Sequence, residues 1–277
     1  MIETVTIVGV GLIGGSFALA LREAGFTGRI LGVSSARTLL AAKERSVIDE
    51  GVSLEDGVRR GDLIYLAQPI SQILEVIPQI GGWLGPEAVV TDAGSTKVQI
   101  VHAAAEHLPE GAFLGGHPMA GKESRGVEAA EAGLFRNRTY LLTPGEGEER
   151  GNLVEFRVLI SRFGCRLLEI TAAEHDRIIA YYSHVPQIAS TALAVTVAGS
   201  DSTRSAAGPG LMDMTRIAMS SYTVWKDIIA TNELQIGAAL DDYIIVLQRV
   251  RAALGTAEVE EFFESGSRFA KGLRSDF

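Results

Sequence analysis

A few short segments hold most of the side chains that could do chemistry. GGHPMAGKESRG sets His117 between a glycine pair and Pro118, outside any amphipathic core pattern. An imidazole presented rigidly in this way is suited to accept a proton near neutral pH. TDAGSTK carries Asp92, Ser95 and Lys97, and YYSHVPQ carries Ser183 and His184 within a stretch, 178–200, that has no Asp, Glu, Lys or Arg. Polar groups in so apolar a setting need partners, so His184 is either a ligand contact or a core histidine bonded to its neighbours. DMTRIAMSSYTVWKD adds Asp213, Arg216 and Trp225. A guanidinium forks onto a carboxylate, so Arg216 either clamps a substrate anion or pairs with Asp213 one helical turn away. His102 and His107 read as surface residues and His175 as a helix start; no pair has zinc-ligand spacing, and no metal is expected.

The opening run TVTIVGVGLIGGSFALAL places Gly9, Gly11 and Gly14 in GxGxxG spacing, directly after a strand and at the start of a helix. The first glycine permits a tight turn, the second lets backbone approach a pyrophosphate, and the third lets helix and strand pack closely. A dinucleotide is the expected ligand. An acid about 20 residues further on would bond the ribose 2′-hydroxyl of NAD. ILGVSSARTLL instead offers Ser34, Ser35, Arg37 and Thr38, hydroxyls and a guanidinium suited to a 2′-phosphate, so NADP is expected ahead of NAD.

The elements that must position these groups alternate. Short β-branched runs at 5–9, 30–34, 63–67, 88–91, 112–115, 140–143 and 166–170 read as strands covered on both faces. Helices fall between them, for instance at 14–24 and 95–107, and 144–152 reads as a charged loop. After 170 the strand pattern stops. An α/β Rossmann-type domain is therefore expected over 1–170 and an all-α domain over 171–277. In the latter, Leu234, Leu240, Tyr243, Ile244, Leu247, Val250 and Leu254 recur at helical spacings and form an apolar face that must be covered.

Composition narrows the partners. With 34 Asp plus Glu against 25 Lys plus Arg and no basic run, nucleic acid is not an expected partner. The single cysteine, Cys165, is read as a small buried hydrophobe in a reducing, cytoplasmic setting. No membrane span is expected: the N-terminal apolar run carries Glu3 and lacks a basic n-region, and 178–200 contains His184, Pro186 and Gln187.

Taken in order, GVGLIGGS, DAGSTK, GGHPMAGKESRG, SHVPQ and DMTRIAMSSYTVWKDI resemble the prephenate dehydrogenase family, which includes the arogenate and cyclohexadienyl dehydrogenases of tyrosine biosynthesis. The resemblance spans the whole chain. It implies a Rossmann domain followed by a helical domain that forms a homodimer, and an oxidative decarboxylation with hydride transfer to a nicotinamide. It makes His117 the catalytic histidine and Ser95 its neighbour, sharing the contact to the substrate hydroxyl and helping to orient the ring. Arg216 takes the place of the arginine that binds a substrate carboxylate, with Glu123, His184 and Trp225 at pocket positions. Gly9, Gly11, Leu12, Ile13 and Gly14 match the pyrophosphate turn, and Gln68 with Pro69 the segment on the nicotinamide side. Gln187 stands where many relatives have a second histidine and Lys122 where they have a threonine, which leaves prephenate against arogenate open. Neither a chorismate mutase extension nor a C-terminal regulatory module is expected. Two other readings remain at this point: a β-hydroxyacid dehydrogenase, although no lysine occurs between Glu123 and Trp225, and a cofactor-binding sensor.

Overall fold

Eight short strands carry the first part of the chain: β1 (Thr4–Val8), β2 (Arg29–Val33), β3 (Glu50–Gly51), β4 (Leu63–Leu66), β5 (Val89–Asp92), β6 (Phe113–Pro118), β7 (Thr139–Pro144) and β8 (Arg166–Glu169). The helices among them are α1 (Leu12–Glu23), α2 (Ala36–Glu44), α3 (Leu54–Arg60), α4 (Ile70–Ile80), α5 (Val98–His107) and α6 (Gly151–Ser161). There follow α7 (Ala172–Ile179), α8 (Val185–Gly199), α9 (Pro209–Thr215), α10 (Tyr222–Ala253) and α11 (Glu258–Ser275). The computed structural model describes residues 1–145, 149–200 and 204–275; of the loop expected at 144–152, residues 146–148 lie outside the described residues.

The strands form one sheet in the order β3-β2-β1-β4-β5-β6-β7-β8. β1 to β6 are parallel, β7 runs antiparallel to β6, and β8 is parallel to β7. Strand order reverses between β1 and β4, the place where a doubly wound sheet opens a ligand crevice beyond its strand C-termini. Successive side chains of the central strands enter opposite apolar clusters: Val5, Ile7 and Tyr65 on one face, Val8, Ile64 and Leu66 on the other. This is why these strands read as unbroken apolar runs. On the first face Phe17 stacks on Tyr65 at 3.8 Å between ring centres, and the Tyr65 hydroxyl bonds that of Tyr140 at 3.2 Å. On the second, α4 turns Ile70, Ile73, Val76, Ile77 and Ile80 inward at three- and four-residue spacing.

Several sequence expectations change. α1 begins at Leu12 and α5 at Val98, not at 14 and 95. β3, two residues long, has no periodicity to reveal it. β7 runs into Pro144 and α6 begins at Gly151, so both ends of the expected loop, 144 and 151–152, belong to regular elements. β8 is not covered on both faces: all four residues are exposed, because it is the last strand of the sheet with β7 as its one neighbour.

Two compact units emerge, Met1–Asp176 with Ser220–Thr231, and Arg177–Met219 with Asn232–Phe277. In the second, Ala180, Val185 and Ala239 are buried together, with Leu240 and Tyr243 against them. The expected apolar face of α10 is thus covered only in part. Leu234 stays 86% exposed, Leu254 65% and Leu247 48%. Among the described residues no helix is long and apolar enough to cross a membrane.

The third glycine of the opening motif lets α1 seat closely on β1 and the turn that follows it. A Cβ on Gly14 would stand 2.2 Å from the Gly9 carbonyl oxygen and 2.8 Å from Ile7 Cγ2. Gly14→Val is expected to lower stability by about 1–3 kcal/mol through overpacking, read as a lower thermal midpoint. An unchanged midpoint would mean that α1 does not seat as described.

Candidate active site

The site begins with the turn between β1 and α1. Gly9 has φ +97°, a conformation L side chains rarely adopt, and a Cβ there would press on the Ala67 backbone and Gln68 at 2.8 Å. At Gly11 a Cβ would meet nothing within 4 Å, so this face of the turn is open to close approach. Gly11 is the N-cap of α1 without a side-chain cap, and the first turn carries no acid. The amides that Leu12 and Ile13 bring to that turn are unbonded within the helix, and they suit an anion such as a pyrophosphate. Gln68 and Pro69 follow β4 at the same edge of the sheet, where the Gln68 Oε1 atom is buried without a hydrogen-bond partner. At the end of β2, Ser35 caps α2 by accepting from the Thr38 amide at 3.3 Å, and the two hydroxyls lie 2.9 Å apart. Ser34, Ser35 and Arg37 are exposed. The residues present fit a dinucleotide.

At the ends of β5 and β6 lies a buried charged pair. Lys97 and Asp92 are fully buried and bonded to each other. Lys97 Nζ also donates to the Gly116 carbonyl at 2.8 Å, while Asp92 accepts from the amides of Gly94 at 2.7 Å and Gly116 at 3.1 Å. Both backbone groups of Gly116 are therefore held by the pair. Burial pushes the Lys97 ammonium below its ordinary value, and the Asp92 carboxylate pulls the other way. The glycine pair is needed for this approach: a Cβ on Gly116 would lie 2.5 Å from the Asp92 carbonyl oxygen, and one on Gly115 2.1 Å from Thr143 Oγ1.

His117, next in the chain, is not past the strand as expected but within β6, where it pairs with Leu141 of β7 and is 7% exposed. Its Nδ1 lies 2.9 Å from Nε2 of His175. His175 lies near the start of α7, as expected, and is fully buried. α7 opens with a capping box: the Glu174 carboxylate accepts from the Thr171 amide at 3.1 Å, and the Glu174 amide donates to Thr171 Oγ1 at 3.2 Å. That local start fixes the next two residues. His175 Nδ1 meets Asp176 Oδ1 at 2.8 Å, and Asp176 also accepts from the Lys97 amide at 2.7 Å and the Val98 amide at 2.9 Å. Asp176 is thus the cap of α5, whose N-cap residue Lys97 has no side-chain cap of its own. Burial pushes the His175 imidazole below its ordinary value, against the opposing pull of Asp176. The sequence signal for this pair was an adjacent His and Asp just after a capping box, following the last strand.

Other expected residues are placed as follows. Ser95 is half-buried in the loop before α5, Glu123 is exposed in the segment after β6, and Trp225 is half-buried against the second apolar cluster of the first unit. In the second unit, Pro186 has no N–H to give the carbonyl of Tyr182, and the preceding turn Ala180–His184 widens to π geometry. His184 is buried there, with Asn232 Nδ2 donating to its Nδ1 at 3.3 Å. Gln187 Nε2 donates to the Ile217 carbonyl at 2.9 Å, bracing the turn that begins with Arg216, which is exposed. Among the described residues no three His, Cys, Asp or Glu side chains group as a metal site would require.

A glycine-lined helix N-terminus after β1 and a buried imidazole on β6 of the same doubly wound sheet suit a nicotinamide-dependent oxidoreductase. Residues 17–169 match the model of the prephenate dehydrogenase nucleotide-binding domain and residues 171–266 that of the prephenate dehydrogenase dimerization domain. Prephenate dehydrogenase of Bacillus subtilis (strain 168) is 34% identical over 99% of this chain and 76% of its own length. The crystal structure of prephenate dehydrogenase from A. aeolicus, in complex with hydroxyphenyl propionate and NAD+, matches 99% of both chains with TM-score 0.91 and 28% identity. That of Synechocystis arogenate dehydrogenase matches 98% of this chain and 99% of its own with TM-score 0.85 and 29% identity. The chain belongs to the prephenate dehydrogenase family.

Removing one member of a buried ion pair strands the other, so Lys97→Met is expected to cost about 3–5 kcal/mol of stability. Adding Asp92→Asn should restore a large part of that. Denaturant unfolding of the two variants checks this, and a Lys97→Met protein as stable as wild type would remove the pair from its structural role.

Proposed function

We propose that this chain catalyses the oxidative decarboxylation of prephenate, arogenate or both, in tyrosine biosynthesis, with NADP preferred to NAD. The observation that carries the reading is His117: a buried imidazole whose Nδ1 is bonded to His175, in the sheet whose first strand leads into a glycine turn fit for a dinucleotide. A nicotinamide held at the glycine turn would supply the acceptor for the hydride of substrate ring C4. His117 takes the proton of the 4-hydroxyl through Nε2. The bond from the ring to its carboxylate then breaks, carbon dioxide leaves, and the electron pair stays to complete an aromatic ring. Ser95 shares the hydroxyl contact. Arg216 binds a substrate carboxylate, a local clamp that an acidic protein needs because its net charge of −9 opposes anions. Glu123, His184 and Trp225 are assigned to the same substrate. Gln187 is assigned to the same substrate as well, and it also donates to the Ile217 carbonyl in the turn that begins with Arg216.

The NADP preference rests on Ser34, Ser35, Arg37 and Thr38. Arg37 is exposed at the start of α2, next to a Ser35–Thr38 hydroxyl pair, and no acid occupies that first turn. The exposed apolar side chains of α10, Leu234 and Leu247 among them, support a homodimer through the helical domain. A cytoplasmic biosynthetic role goes with this reading.

Nicotinamide reduction with prephenate and with arogenate, each paired with NADP and with NAD, tests it directly. At least one substrate should be turned over, with the lower KM for NADP. Arg37→Ala should raise the NADP KM about tenfold, the worth of one charge-assisted contact, and leave the NAD KM unchanged. A wild type that reduces neither cofactor with either substrate would refute the activity, and equal KM values would refute the preference.

A further inference from the structure

The geometry around His117 assigns a role to two residues that carry none in the reading above. We infer that His175, held by Asp176, is the positioning residue that fixes the tautomer of His117, keeping its proton on Nδ1 and its lone pair on Nε2. This rests on His117 being the proton acceptor.

The assignment follows from counting donors along one line of bonds. The Asp176 carboxylate is an acceptor: it already receives the amides of Lys97 and Val98 at the start of α5. The nitrogen facing it at 2.8 Å, His175 Nδ1, must bring the hydrogen. His175 is wholly buried, and burial favours its neutral form, which has a single ring proton. That proton is on Nδ1, so His175 Nε2 is an acceptor. The group facing Nε2 at 2.9 Å is His117 Nδ1, which must therefore donate. A neutral His117 with its proton on Nδ1 has Nε2 unprotonated, the form that a general base requires. Besides His117 on Nε2, the charged groups that act on His175 are Asp176, Lys97 and Asp92, and Asp176 holds the proton on the nitrogen it faces.

The bond line is also built for rigidity. Asp176 sits on α7 immediately after a capping box, and it caps α5 as well as bonding His175. The His117 backbone is held separately, through Gly116 and the Asp92–Lys97 pair. Removing His175 should therefore release the ring of His117 without releasing its strand.

Two measurements test this. In histidine-labelled wild-type protein at neutral pH, long-range nitrogen–proton correlation spectra should show His117 with Nδ1 protonated and Nε2 not. In His175→Leu the His117 proton should redistribute between the two nitrogens. Turnover should fall on the order of 100-fold, within the range for a displaced general base, while the KM values for substrate and NADP stay within about twofold. His175→Gln, whose amide oxygen can accept from His117 Nδ1, should recover most of the lost turnover. A wild-type His117 protonated on Nε2, full turnover in His175→Leu, or a His175→Gln protein no better than His175→Leu would each overturn the inference. The tautomer is read without substrate. A wild type with the Nδ1–H form but no dehydrogenase activity would instead defeat the functional reading alone.

Discussion

An ammonium and a carboxylate are buried together at the end of the fifth strand, and their surroundings are shaped by the need to bond both. Lys97 and Asp92 lose water on every side, a cost their mutual attraction offsets only if the remaining donors and acceptors find partners. They find them in the backbone: the amides of Gly94 and Gly116 and the carbonyl of Gly116. Side chains at 115 and 116 would collide with what lies there, which explains two glycines in a strand before a histidine. The pair also draws Lys97 out of α5, so that the helix starts at Val98 and its first amides fall to Asp176. Asp176 brings His175 with it. The imidazole of His117 is therefore oriented by residues from the fifth strand, the fifth helix and the seventh helix, all within the first unit.

What could be read in the amino-acid sequence follows the range of the interaction behind each feature. The glycine turn was legible because its demands are local: a positive φ at Gly9, an open face at Gly11, no room at Gly14. Val5–Val8 and Leu63–Leu66 were legible because burial on both faces leaves unbroken apolar runs. The start of α5 was misread, since Ser95 and Thr96 look like helix-capping residues and the actual cap comes from Asp176, far along the chain. His175 was passed over for the same reason: its burial and its bond to His117 depend on a contact across 58 residues. β8 has the apolar pair of an inner strand yet lies at the edge, a fact of topology that Arg166–Glu169 does not encode.

The second unit shows the same limits. Its apolar, chargeless stretch is not buried all round, and the polar residues within it have specific partners. Pro186 breaks the helical bonding pattern and gives the π turn that holds His184, while Gln187 is bonded to the carbonyl of Ile217. The amide at 187 thus has a structural reason in this chain. The exposed apolar side chains of α10 and α11, Leu234 and Phe263 among them, match the assignment of residues 171–266 to the family's dimerization domain.

In the proposed reaction His117 takes the substrate proton as hydride leaves. The most direct test is the single-turnover rate of nicotinamide reduction in wild type and His117→Asn, each saturated with cofactor and with whichever of prephenate or arogenate the wild type uses. Loss of a positioned general base should lower that rate by about 10²–10⁴-fold, with the dissociation constant of the substrate nearly unchanged. A variant that transfers hydride at the wild-type rate would contradict the account, because the buried bond line ending at His117 would then serve only to hold the sheet together.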